Sequence, residues 1–385
     1  MPGDSPSRIP DPLTADPWIE VVSEAVKNNV RELHRFTGLP LLAVSKNNAN
    51  GIGIRQVGPI LDAMPEVFGL AVVRVDEALT LRDSGVTKPI LMMAHVSSDE
   101  AELLARNGVR LTPFHDDSIT WVSELAKRLS APVPVHLFVD TGMNRIGMPH
   151  GRATEWISDL VSSGAVAVEG TYTMFSGAER DGDPFDVEHL QRFNTVVEQC
   201  RTAGIDVGLL HGAPSYQVVH LPQARTLDLI RPGGAIYGMP SYRSDVSGNP
   251  IMDLNPVFRL RARVVRVELL SPGEGVSFQH RYRAETPTWI ATIPIGHTDG
   301  YPRAAAGNNT VLVGDTLYPV IAEVSSNHTI LEIGPDKTVS VGDIATLVGP
   351  DRAEITPDAV ARNSGLDRDY WLATKLNPLL HRLTV

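Results

Sequence analysis

Four short stretches place groups capable of chemistry at the ends of apolar runs. LLAVSK, from Leu41, ends in Lys46 and continues as NNANGIG. VPVHLFVD, from Val133, ends in Asp140, and TGMNRIG with Arg145 follows. DVGLLHG, from Asp206, carries His211, with Ser215 in the next loop. TLDLIRP, from Thr226, carries Arg231, then Pro232, Gly233 and Gly234. A lysine in an apolar mouth loses its proton readily and can form a Schiff base with an aldehyde. Two glycines after a strand leave backbone N–H groups able to cradle a phosphate. Each residue also has an ordinary reading. A lysine at a strand end is commonly a solvated charge, and an arginine there pairs with a neighbouring helix. Glycines after a strand often only make the turn. His211 can simply hydrogen-bond inside the fold, and Asp140 can simply cap the loop that follows it.

The elements that carry these residues form a regular series. Between Glu20 and about Tyr237, eight continuous apolar runs begin at Leu41, Phe68, Pro89, Arg110, Val133, Val166, Asp206 and Thr226. Continuous runs of this kind mark strands buried on both faces. Amphipathic stretches such as EVVSEAVKNNVRELHRF, DEALTLRDSG and DVEHLQRFNTVVEQCRTAG lie between them. Several end at a glycine: Gly38, Gly85, Gly108, Gly164 and Gly204. Eight strands with intervening helices predict a (β/α)8 barrel, whose active site forms at the C-terminal strand ends where Lys46, Asp140, His211 and Arg231 stand. An open doubly wound sheet is the alternative that a strand count leaves. After loop-like residues near Pro240–Pro256 the chain alternates in the β manner, from VFRLRARVVRVELL to IATLVG, and predicts a second, all-β domain. The expected division is a loose leader over 1–17, the barrel over 18–242 and the β domain over 243–385, with a last helical stretch at DYWLATKLN.

Composition narrows the function classes. The chain has 385 residues, 42% hydrophobic and 21% charged, enough for two or three globular domains. A net charge of −11 offers no general attraction for nucleic acid or for anionic membrane surfaces. The single cysteine, Cys200, excludes an internal disulfide framework and a Cys-rich zinc site. The first residues, rich in Pro, Asp and Ser, do not read as a targeting segment, and no apolar run reaches the roughly 18 residues of a membrane helix. A cytoplasmic protein is expected.

LLAVSKNNANGIG resembles the strand and loop that carry the cofactor lysine of alanine racemases. FGLAVVRVDEALTLRDSGVTKPIL, VDTGMNRIG, EGTYTMFSGAE, HGAPSYQ, LIRPGGAIYG, GEGVSFQHRYRA, TWIATIPIGHTDGYPR and DYWLATKLNPLLHR follow in the family's order. The resemblance runs from about Trp18 to the C-terminus. It implies a pyridoxal 5'-phosphate enzyme of barrel and β domain, acting on an amino acid as a head-to-tail homodimer with shared sites. Lys46 falls on the Schiff-base lysine, and Arg231 on the arginine that binds the pyridine nitrogen. Ser215, Tyr370 and the backbone of Gly233 and Gly234 fall on the phosphate site. Arg145 falls near the substrate carboxylate. Phe278, His297 and Ser326 fall on the substrate side.

The substrate side departs from the family pattern. The tyrosine that serves as base opposite the lysine, in a VSY segment, is Phe278 here, and phenylalanine has no ionisable group. The histidine that stacks on the cofactor ring becomes Met174. A lysine that orients the arginine becomes Phe138. The loop tyrosine becomes Asn50, the gate tyrosine His297, and the Met-Asp pair of the partner subunit Ser326 and Asn327. The expectation is stereospecific chemistry at Cα of a substrate larger than alanine (aldol cleavage or transfer, elimination or decarboxylation) with Lys46 as the proton-transfer group. Two alternatives stand beside it: a racemase whose base is relocated, with His280, Tyr282 and His297 as candidates, and a non-catalytic cofactor-binding protein.

Overall fold

The computed structural model describes residues 16–177, 183–239, 242, 251–366 and 375–385. They divide into two compact units. One comprises residues 24–49 and 57–255; the other comprises the described residues up to Ser23, residues 50–56 and those from Pro256 onward.

The first unit is built on eight parallel strands: Leu41–Val44, Val67–Val72, Ile90–Met92, Val109–Arg110, Val133–Asp140, Val166–Tyr172, Leu209–Pro214 and Leu229–Arg231. Each coincides with one of the eight apolar runs. Closure comes from two seams. The last strand pairs with the first at Ile230 and Leu41, and Leu111 bridges to Val135. At the second seam Leu111 N–H donates to Pro134 O (3.1 Å) and His136 N–H donates to Leu111 O (3.0 Å). The sheet is a barrel, and the open-sheet alternative falls. Leu42, Ala71, Leu91, Phe138, Tyr172 and Leu229 pack into one cluster from six of these strands, with Val44 against it. Leu42 and Val44 share a face because successive strand residues point to opposite sides, so Leu41 and Ala43 are buried on the other face.

Helices fill the predicted intervals, among them Ser23–Thr37, Val75–Asp83, Ser98–Arg106 and Pro184–Thr202. Ser98–Arg106 begins with a reciprocal cap: Ser97 N–H donates to Glu100 Oε2 (2.8 Å), and Glu100 N–H to Ser97 Oγ (3.4 Å). The five helix-ending glycines all have φ between +65° and +87°, where a Cβ is strained. One helix escaped sequence reading. Ile54–Asp62 contains Gly58 and Pro59, two residues that argue against a helix. A Cβ on Gly58 would come within 2.6 Å of Leu81 Cδ2, so the Leu81 side chain would have to shift.

Among the described residues the second unit is built, apart from the separate pair Gly275–Val276 and Tyr282–Arg283, on a nine-stranded sheet. Its order is Arg266–Leu270, Thr288–Ile293, Thr329–Gly334, Thr316–Ile321, Thr310–Val313, Ile344–Val348, Phe258–Arg263, Trp18–Val21 and His381–Thr384. All pairs are antiparallel except the last, in which Trp18 lies beside His381. This corrects the expected domain limits. Trp18–Val21, which the sequence places with the barrel, pairs along its length with Phe258–Arg263. Residues 50–56 also belong here, and the boundary lies at Pro256, not 243. Asp16, placed in the loose leader, accepts from Arg263 N–H (2.9 Å) and from its guanidinium (2.7 Å). Most of the expected C-terminal helix lies outside the described residues. No helix among the described residues is long and apolar enough to cross a membrane.

Candidate active site

A pocket of about 240 Å³ opens within the barrel unit, and Lys46, Arg145, Ser215, Arg231, Gly233 and Gly234 all line it. These six residues come from four separate stretches of sequence and were singled out from strand ends and the resemblance together. Val44, Met93, Phe138, Ile146 and Met174 supply apolar wall.

Lys46 follows the first strand directly. The chain then makes a turn of left-handed helix: Asn47 (φ 57°, ψ 47°), Asn48 (54°, 49°) and Ala49 (52°, 52°), with Asn50 at φ 55°. Asparagine enters this region more easily than most residues, while each L-residue there carries a cost of about 1–2 kcal/mol. Backbone donors of the turn are engaged. Ala49 N–H donates to Ser45 O (3.0 Å), and Asn48 N–H donates to the buried Glu77 carboxylate (3.1 Å). Burial pushes the Lys46 amine below its ordinary pKa, and the nearby Arg145 and Arg231 charges add to this; Glu77 opposes it.

Arg231 is 2% exposed. Its Nε donates to Gly212 O (3.1 Å) and its Nη2 to Thr173 O (2.6 Å). Two thioethers complete the shell, Met174 Sδ at 2.8 Å and Met93 Sδ at 3.6 Å. The guanidinium carbon lies 4.6 Å from the centre of the Tyr172 ring. Burial brings the Arg231 pKa down to about 10, and the Arg145 charge acts in the same direction. Tyr172 is stacked between Phe138 (4.5 Å, 16°) and His211 (4.8 Å, 16°). His211 Nε2 and His136 Nδ1 lie 2.8 Å apart. Desolvation lowers both histidine pKa values, His136 to about 3, so the pair is uncharged at neutral pH. His211 therefore follows its ordinary reading as an internal hydrogen-bonding residue. So does Asp140, whose Oδ1 accepts from Gly142 N–H (3.0 Å) and Asn144 N–H (3.2 Å).

Ser215 opens the short helix Ser215–His220 and gathers the turn after the eighth strand. Its Oγ accepts from Gly233 N–H (3.0 Å) and Ala235 N–H (3.2 Å). A Cβ on Gly234 would lie 2.6 Å from Met239 Sδ and 2.8 Å from Tyr242, so only glycine fits there. Tyr370 lies outside the described residues.

Phe278, His297 and Ser326 belong to the second unit. Phe278 heads the short turn Phe278–His280 and is 67% exposed. His297 Nε2 and Ser326 Oγ lie 3.5 Å apart, and Asn327 donates to Thr298 Oγ1 (3.1 Å). His280 is exposed, as a surface residue would be. Sequence reading missed Glu77, Met93 and Tyr172. Glu77 sits in the first turn of its helix, where acidic residues are ordinary. Nothing local shows that its carboxylate turns toward the lysine loop.

Comparison with known proteins bears on nearly the whole chain. The alanine racemase N-terminal domain matches residues 21–241, and the alanine racemase C-terminal domain matches residues 257–384. An alanine racemase of Geobacillus kaustophilus is 33% identical over 361 residues, 92% of this chain and 91% of the relative. One of Methanococcus maripaludis is 30% identical over 340 residues, 88% of this chain and 90% of the relative. Among solved structures, alanine racemase of Streptomyces coelicolor superposes with a TM-score of 0.82 at 27% identity, over 96% of this chain and 98% of that one. Alanine racemase of Bacillus anthracis with bound L-Ala-P gives 0.80 at 29% identity, over 96% and 95%.

Proposed function

The chain belongs to the alanine racemase family, and we propose that within it this protein acts stereospecifically at Cα of an amino acid larger than alanine. The family's cofactor is pyridoxal 5'-phosphate, and the pocket suits it. Lys46, Arg145 and Arg231 converge on one cavity, close enough that the two arginine charges act on the lysine. Such a cavity calls for anions, which a phosphate and an amino-acid carboxylate supply.

When bound, the cofactor supplies a ring that draws electrons away from Cα. Lys46 would hold its aldehyde carbon and afterwards carry a proton to or from Cα on one face. Its depressed pKa favours the neutral amine that attack on the aldehyde and removal of a proton need. Arg231 can only donate hydrogen bonds, so beside the ring nitrogen it would leave that nitrogen without a proton. Ser215 with the Gly233 and Gly234 backbone would hold the phosphate, and Arg145 the substrate carboxylate.

Phe278 carries the proposal. Racemisation removes a proton from one face of Cα and returns it to the other, which takes two groups. A phenyl ring can do neither, and an apolar wall excludes water that would otherwise deliver protons. The relatives named alanine racemase favour a second reading, racemisation with a relocated base; His297 beside Ser326 is its candidate. Homodimeric assembly with sites shared between subunits belongs to the same proposal. Incubation with an amino-acid panel in deuterated water separates the readings. Deuterium at Cα with retained configuration, on a substrate larger than alanine, is expected. Rapid incorporation with inversion on alanine would overturn the proposal.

A further inference from the structure

We infer that Glu77 is the positioning residue of Lys46: its buried carboxylate fixes the left-handed turn that follows the lysine and sets the negative charge that faces the amine. The inference rests on Lys46 being the cofactor lysine. Glu77 is 5% exposed and lies in the first turn of helix Val75–Asp83. A carboxylate this buried ordinarily needs a cation. Among the described residues Glu77 has none within 4 Å, and backbone amides satisfy it instead. Oε1 accepts from Asn48 N–H (3.1 Å) and Oε2 from Val73 N–H (3.3 Å).

Asn48 is two residues beyond Lys46 and is the second residue of the left-handed turn. Val73 follows the second barrel strand and lines the same pocket as Lys46. One side chain therefore ties the lysine loop to the neighbouring strand end. The turn it holds is unfavourable for three asparagines and an alanine, and a bond to a charged acceptor offsets part of that cost. The charged groups acting on Lys46 are Arg145 from the loop after the fifth strand, Arg231 from the eighth strand and Glu77. Glu77 is the one anion among them. It tempers the effect of the two arginines and of burial, so that the amine is neither locked as ammonium nor stripped of all basicity.

The experiment follows capture of pyridoxal phosphate by full-length protein freed of cofactor. Capture requires the neutral amine, so its rate plotted against pH bends at the pKa of Lys46. Borohydride reduction and peptide mapping locate the captured cofactor. In Glu77→Gln the bend should move to lower pH by about one pH unit, because an opposing charge favoured the ammonium form. The rate on the plateau should also fall about tenfold, because an amide fixes the turn less well. Glu77→Asp keeps the charge but draws it back by one methylene; it should leave the bend in place and lower the plateau. It serves as the deciding variant should Glu77→Gln fail to fold. A bend and plateau equal to wild type in either variant would overturn the inference. Cofactor found elsewhere than Lys46 in the wild type would instead overturn the Lys46 reading, and this inference with it.

Discussion

At the scale of single residues, what matters is which groups can hold a proton and on which side. Phe278 removes the second proton carrier, so Phe278→Tyr should restore one. A positioned acid–base group contributes about 10²–10⁴-fold. Racemisation of the preferred substrate, followed by chiral chromatography, should rise within that range while stereochemical purity falls; an unchanged rate would show that Phe278 does not face Cα. Lys46 gives a second prediction, on stability. Its folded pKa lies below the unfolded value of 10.5. Folding must then either strip a proton from Lys46 or bury a charge, and that cost is full below the folded pKa and vanishes above 10.5. Cofactor-free Lys46→Met should melt higher than wild type at pH 7, and the gap should close as pH rises toward 10.5. A gap independent of pH would refute the burial argument. Lys46 and Arg231 were legible because strand ends in a barrel have a known functional side. Glu77 and Tyr172 were not, because their roles depend on contacts across 29 residues to Asn48 and 60 residues to Thr112, which no local pattern encodes.

At the scale of elements, the helix ends show how much a rule of backbone geometry decides. Five helices stop at a glycine with positive φ, and these were visible in sequence. Helix Ser118–Leu129 stops instead at Ser130, with φ 55° and ψ 31°. Its N–H still donates to Lys127 O (3.2 Å), so the cap is formed at the expense of a strained Cβ. Ser130→Gly should stabilise the protein by about 0.5–1 kcal/mol, and Gly204→Ala should destabilise it by about 1–2 kcal/mol. Gly204 is the clean control, since a Cβ there would touch nothing within 4 Å and only the backbone term remains. Thermal melts of both variants check the pair; equal shifts of one sign would contradict it. The eight barrel strands were legible for a similar reason, because burial on both faces leaves an unbroken apolar run. Trp18–Val21 was not. It is four residues long, it abuts helix Ser23–Thr37, and its partners lie more than 200 residues away. His381–Thr384 was hidden in the same way, with half-buried polar residues where an apolar run would be expected.

At the scale of the whole molecule, the β unit presents apolar surface that its own fold does not use. Phe278 is 67% exposed, Val265 47%, Ile344 46% and Leu269 44%. Covering a side chain of this size is worth about 1.5–3 kcal/mol. The proposed homodimer would cover Phe278 by setting each β unit over the barrel mouth of the other subunit. Mixed dimers test this whatever the fate of the substrate. A Lys46→Ala chain lacks the cofactor lysine, and a Phe278→Arg chain carries a charge where the proposal needs an apolar wall. Each homodimer should be inactive. If sites are shared, a mixed dimer contains one site with Lys46 from one chain and Phe278 from the other, both intact, and one site with both lost. Random reassortment of equal amounts makes half the dimers mixed, so activity should recover to about a quarter of the wild-type value under two-fold symmetry. If each site is built from a single chain, every site carries one lesion and nothing recovers. Borohydride labelling of the same mixture supplies the internal check: cofactor should be fixed only on the Phe278→Arg chain, the one that keeps Lys46, whichever way activity falls.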